Sequence, residues 1–193
     1  MKKPEKTERG AWIANKTFLS IWGSFFTILL IILTVVINVS TQMEDIEEKL
    51  KYIPPQTKAD AIPTESVVTG QMVYVPTYSH IYTQGGKPLL LESTLSIRNT
   101  DTNRDISITS VRYYDTHGKL INNFVENPLR LDPLVTAEFL IPQKEIAGGS
   151  GANFIVEWVS GTQVNKPIIE AVMVSTQEQT GISFVRSGIE IEN

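Results

Sequence analysis

Residues 73–101 read VYVPTYSHIYTQGGKPLLLESTLSIRNTD, and the character of the side chains alternates along them with a period of two. One phase carries Val73, Val75, Thr77, Ser79, Ile81 and Thr83. The other carries Tyr74, Pro76, Tyr78, His80 and Tyr82. This period puts successive side chains on opposite faces of a β-strand. Gly85-Gly86 supplies a turn. Leu89, Leu91, Leu95 and Ile97 then alternate with Glu92, Thr94, Ser96 and Arg98 as a half-buried strand. The run Asn99–Asp105 is a turn cluster, because Asn and Asp side chains bond readily to nearby backbone.

The same reading extends towards the C-terminus. Ile106 and Ile108 set one apolar phase, and Val111 and Tyr113 set the other, a one-residue slip that predicts a β-bulge near Ser110. Asp115–Gly118 turns the chain into a strand at 119–125. Val135, Ala137, Phe139 and Ile141 form the next strand, which Pro142 ends. Gly148–Gly151 is read as a flexible loop between strands. Phe154, Val156 and Trp158 alternate after it, and IIEAVMVST follows Pro167. Short strands at 181–185 and 189–192 close the chain. About seven to nine strands, with turn signals roughly every ten residues, predict an all-β domain over residues 67–193 with an immunoglobulin-like β-sandwich architecture. A Greek-key barrel is the alternative topology. The 193 residues include no cysteine, so no inter-sheet disulfide or zinc–thiolate site is available and burial alone must hold the core.

Towards the N-terminus the pattern is different. No charged residue occurs from Thr17 to Met43, and residues 18–39 read FLSIWGSFFTILLIILTVVINV. At about 1.5 Å per residue this helix is roughly 33 Å long, enough for a hydrocarbon core of about 30 Å. Phe18, Trp22, Phe25, Leu30, Val36 and Val39 lie along the expected transmembrane segment, residues 17–39. Residues 1–16 sum to +3, and Glu44, Asp45, Glu47 and Glu48 follow the span, which predicts a cytoplasmic N-terminal tail and a periplasmic or extracellular domain. The apolar run exceeds a cleaved signal peptide's and lacks a small-x-small site, so it reads as an uncleaved signal anchor. Met43, Ile46 and Leu50 continue a seam from Val39 to Ile53 at spacings of four and three, suggesting a helical neck at 40–53 that pairs copies into a homo-oligomer. The alternative is a single helix against the headgroups or the domain. Pro54-Pro55 ends the helix, and residues 54–66 read as a linker.

The phrases VYVPTYSHIY (73–82), STLSIRNTD (93–101), GGSGANFIVEW (148–158) and GISFVRSGIEI (181–191) resemble a bacterial family of unknown function, number 3124 among such families. The resemblance spans about residues 67–193. It implies an exported or membrane-anchored domain and carries over no catalytic residue.

Candidate chemistry is sparse. Tyr74, Tyr78, His80 and Tyr82 share a phase, and Pro76 marks their strand as an edge or a bulge. The group reads as a stacking or docking surface for an envelope protein or a glycan, or else as the rim of the core. Gly149 and Ser150 are a second contact candidate. That glycine loop lacks the following helix that a nucleophile elbow or phosphate loop requires. Asp101-x-Asn103-x-Asp105 opens like a calcium loop. Ile106 and Arg112 replace the required Gly and Glu, so it reads as a hairpin turn. No metal or other cofactor is expected. Residues 67–193 hold 9 basic and 13 acidic residues with no basic stripe, which argues against nucleic acid. The expected function is a non-enzymatic, single-pass membrane protein that touches the lipid bilayer through its span and presents a binding or accessory module. The alternatives are a hydrolase or carbohydrate-active enzyme using carboxylates among Glu92, Glu138, Glu157 and Glu170, and a structural spacer of an envelope complex.

Overall fold

Charge-free apolar sequence favours one uninterrupted helix, and in the computed structural model α1 runs from Glu5 to Leu50. The structure describes residues 5–56, 67–176 and 181–192. The chain divides into two units, residues 1–52 and 53–193. Within α1, Ile21–Leu50 contains an 18-residue stretch with a mean hydropathy of 2.3, none of it buried, and is long and apolar enough to cross a membrane. Lys49 sits in the last turn, where a cation complements the helix dipole. The helix stops three residues before Ile53, which therefore falls off the expected seam. Pro54 excludes helical backbone from the residue before it, so the break precedes the prolines. Most of the expected linker, residues 57–66, lies outside the described residues.

The second unit is built of strands: β1 (Thr69–Pro76), β2 (His80–Thr83), β3 (Lys87–Leu90), β4 (Glu92–Arg98), β5 (Ile106–Tyr114), β6 (Leu120–Asn123), β7 (Leu129–Leu131), β8 (Thr136–Ile141), β9 (Asn153–Ser160), β10 (Ile168–Ser175), β11 (Ile182–Ser187) and β12 (Ile189–Ile191). They form three antiparallel sheets. The first has the order β12-β1-β9-β5-β6, with β7 also on β5. The second has the order β11-β10-β4-β8. The third is the hairpin β2-β3. The twelve strands among the described residues exceed the expected seven to nine. Residues 73–83 and 89–98 each split in two where the chain leaves one sheet for another, and Leu129–Leu131 is too short to show a period.

One hydrophobic core draws on both larger sheets. Val73, Val75, Phe154, Val156 and Trp158 from the first join Leu95, Ile97, Phe139, Ala171 and Met173 from the second. The expected bulge is present: the β5–β9 register slips between Ile108 and Ser110, so Ile106, Ile108, Val111 and Tyr113 all face inward.

The Asn99–Asp105 segment is not a hairpin turn, since β4 and β5 belong to different sheets. It is a cross-over fastened by side chains. Asn99 Nδ2 donates to the carbonyls of Arg104 (2.8 Å), Leu131 (3.1 Å) and Asp132 (3.1 Å). Asp101 Oδ1 accepts from the amides of Asn103 and Arg104, each at 3.0 Å, and Oδ2 from Asn165 at 3.2 Å. A further change of sheet occurs at Gly188, between β11 and β12. Its amide donates to the Ile169 carbonyl at 2.8 Å.

Candidate functional site

The inward phase Val73, Val75, Thr77, Ser79 remains buried through the whole segment 73–79. What ends β1 is hydrogen bonding. Pro76 offers no amide, and it lies beyond the reach of β12, whose last pairing is Tyr74 with Ile189. The Thr77 amide donates to the Ala152 carbonyl at 2.9 Å, and the Ser79 amide to the Gly149 carbonyl at 3.0 Å. Ser79 Oγ donates to that same Gly149 oxygen at 2.9 Å. The Leu91 amide donates to the Ser79 carbonyl at 2.9 Å, which ties β3 to the base of β2.

The four aromatic candidates are therefore not on one strand. Tyr74 is on β1, between Ile189 of β12 and Ile155 of β9 in register, so β1 is an interior strand rather than an edge. Tyr78 lies between strands and turns its ring onto Phe184, with centroids 5.9 Å apart, at the margin of the core. His80 and Tyr82 stand together on β2. Their rings meet edge-on at 5.1 Å, with His80 Nε2 3.2 Å from Tyr82 Oη. Tyr82 is 63% exposed, the most open of the four.

The glycine segment is a built turn, not a flexible loop. Gly149–Gly151 forms a single 3-10 turn, with Gly149 at φ +77°. Thr116 clasps it: its amide (2.9 Å) and Oγ1 (3.0 Å) donate to the Gly148 carbonyl, and Oγ1 accepts from the Gly151 amide at 2.9 Å. A Cβ on Gly148 would lie 1.8 Å from Tyr113 Oη. Burial pushes the Tyr113 phenol up to about 12, against a lowering hydrogen bond with Ser79, while the Glu145 carboxylate adds to the rise. Gly149 and Ser150 thus sit beside the base of the hairpin. The Gly149 carbonyl is already engaged by Ser79 and is not free for a ligand. Ser79, Tyr113 and Thr116 are the residues that sequence reasoning missed. Their only signal was the alternation that placed Ser79 and Tyr113 inward.

The profile of the family described as "Protein of unknown function (DUF3124)" matches residues 70–191. The chain belongs to this family. The DUF3124 match begins in β1, ends with β12 and leaves α1 outside. No curated protein matches the chain. The crystal structure of Thermotoga maritima 1070 is similar over 62% of this chain and 92% of its own, at 10% identity and a TM-score of 0.39.

In this DUF3124 chain the acidic candidates are spread over sheet faces. Glu157 on β9 pairs with Arg112 on β5. Glu170 and Glu138 lie on either side of Ser96 in the second sheet, and Arg98 Nη2 is 3.4 Å from Glu170 Oε1. A pocket of about 470 Å³ includes Arg98, Arg130 and Glu138 above apolar Leu129 and Leu131, but not Glu170. Arg130 Nε is held 3.3 Å from both Asp105 and Asp132. Among the described residues no group of three or more His, Asp or Glu side chains converges to hold a metal. Both carboxylate oxygens of Asp101 are engaged by backbone amides, Oδ1 within its own cross-over and Oδ2 by Asn165.

On α1 the spanning candidates Phe18, Trp22, Phe25, Leu30, Val36 and Val39 are all exposed, as are Met43, Ile46 and Leu50 of the neck. Phe18, Trp22 and Phe25 form a ladder of ring contacts at 5.8 and 6.2 Å.

Proposed function

We propose that this chain is a single-pass, non-enzymatic membrane protein with a cytoplasmic N-terminus. In this reading residues 67–193 form an immunoglobulin-like binding or accessory module outside the cytoplasm. The anchor part is supported by the exposed apolar segment of α1, which has basic residues before it and acidic residues after it along the chain.

The observation that carries the binding part is the β2–β3 hairpin. Its base is fixed through Ser79 and Leu91, while half-buried His80 holds exposed Tyr82 against it on β2. A rigid aromatic pair on a fastened base presents contact area at little entropic cost, which suits a glycan face or a partner protein.

The test is affinity capture from membranes with the full chain, followed by the double variant His80→Ala/Tyr82→Ala. The variant is expected to lose the captured envelope protein or glycan, while its stability stays within about 0.5 kcal/mol, as for exposed substitutions. Full retention of the partner by a folded variant would remove the hairpin from the binding surface.

A further inference from the structure

The seam of Val39, Met43, Ile46 and Leu50 does not begin at the neck. Counting back from Val39 in alternating steps of three and four residues meets an apolar side chain at every step as far as Phe18. All of these positions lie on the single helix α1, and their side chains are exposed. The opposite stripe is polar at intervals of seven: Thr27, Thr34, Thr41 and Glu48. The threonines on that stripe are satisfied within their own helix. Thr27 Oγ1 donates to the Ser24 carbonyl at 2.8 Å, Thr34 to Leu30 at 2.8 Å and Thr41 to Asn38 at 3.0 Å. That threonine stripe therefore needs no partner, whereas the apolar seam is covered by nothing among the described residues.

From these observations we infer that α1 pairs with α1 of a second copy, parallel and in register, through one heptad seam that runs from Phe18 through the span to Leu50. The inference rests on the membrane-anchor reading and extends it. In a straight helix of 3.6 residues per turn, a seven-residue repeat drifts by about 20° per heptad. A repeat kept over this length fits a left-handed supercoil rather than a single helix resting on a flat surface. Copies inserted in the same orientation meet parallel, and in register each seam residue faces its own counterpart. Gln42 then faces Glu47 of the other copy across the flank, an amide donor against a carboxylate. The seam with its flanking positions is about 20 residues a side, which at about 800 Å² per partner is the size of a standard stable interface. Within lipid, close packing carries the contact, because lipid tails are as apolar as the seam. Beyond the lipid, removing Met43, Ile46 and Leu50 from water adds to it.

The natural chain contains no cysteine, so any disulfide reports an introduced one. Full-length Met43→Cys, Ile46→Cys, Leu50→Cys, Thr41→Cys and Glu48→Cys are expressed, fractionated and oxidised with copper phenanthroline in intact membranes. Maleimide labelling confirms that each thiol is reactive. The first three variants are expected to give disulfide dimers several-fold more strongly than the last two. Equal crosslinking at Thr41 or Glu48, or no dimer from any variant of a membrane-bound chain, overturns the pairing and leaves the anchor standing. Recovery of the chain in the soluble fraction without its helix overturns the anchor, and the pairing with it.

Discussion

Gly188 shows how a single residue shapes this fold. A Cβ there would lie 2.5 Å from Val73 Cγ1 and 3.1 Å from the Ile169 carbonyl oxygen. The first neighbour is a core side chain and the second is backbone, so neither yields cheaply. Gly188→Val is expected to destabilise the β unit by about 1–3 kcal/mol, the usual range for overpacking, read as a lower urea midpoint with unchanged slope. Nothing in the sequence around Gly188 announces this role. A glycine between two short apolar runs reads equally well as a turn, and only the approach of Val73 and Ile169 from other strands makes it obligatory. The buried hydroxyls of Thr77 and Ser79 were hidden for a similar reason. Their inward phase was visible in the alternation, but the groups that satisfy them come from Ser93 and Met173 for Thr77 and from the Gly149 carbonyl for Ser79, all on other parts of the chain.

At the scale of elements, local pattern was informative wherever one strand has one buried face. The slip in β5 is the clearest case: two apolar phases in one strand required an extra residue, and the register supplies it at Thr109. Deleting Thr109 is therefore expected to leave an uninterrupted alternation on β5. The cost should be at most about 1.5 kcal/mol, on the order of the hydrogen bond from its Oγ1 to the Glu157 carbonyl. Deleting Arg112 instead would turn Tyr113 outward and should abolish cooperative unfolding. Circular dichroism with urea titration separates the two outcomes. Pattern was uninformative where a strand changes sheets. Residues 73–83 keep one alternation across the break at Thr77–Ser79, because the inward phase persists while the pairing partner changes from β9 to β3. This is why one tyrosine stripe was expected and three separate environments were found. On α1 the apolar length and flanking charge were plain. The helix terminus fell earlier than the seam suggested because the constraint of Pro54 acts on the residues before it.

For the whole molecule, the carboxylates that fasten the connections set the response to acid. Amides of Asn103 and Asn165 hold the Asp101 carboxyl below its ordinary range. The Lys119 amide does so for Asp115, and Lys166 with Gln71 does so for Glu190. A carboxyl depressed in the folded state contributes stability that is complete above its unfolded value, about 4, and is lost as pH falls through the folded value. Urea midpoints are expected to hold at neutral pH and to fall below about pH 4, with a shallower fall in Asp101→Asn. A profile for Asp101→Asn that overlays the parent would show that this carboxylate plays no part in acid sensitivity.

The change of sheet at Gly188 also orders events during biosynthesis. β11 is the outer strand of one sheet and β12 the outer strand of the other, and both follow every other described strand along the chain. Until the ribosome has released that segment, each sheet is one strand short and presents β1 and β10 as open edges, the kind of surface that invites pairing with other chains. Completion of the domain thus waits for its last two strands, and a chain stopped before Gly188 would leave β1 without its outer neighbour.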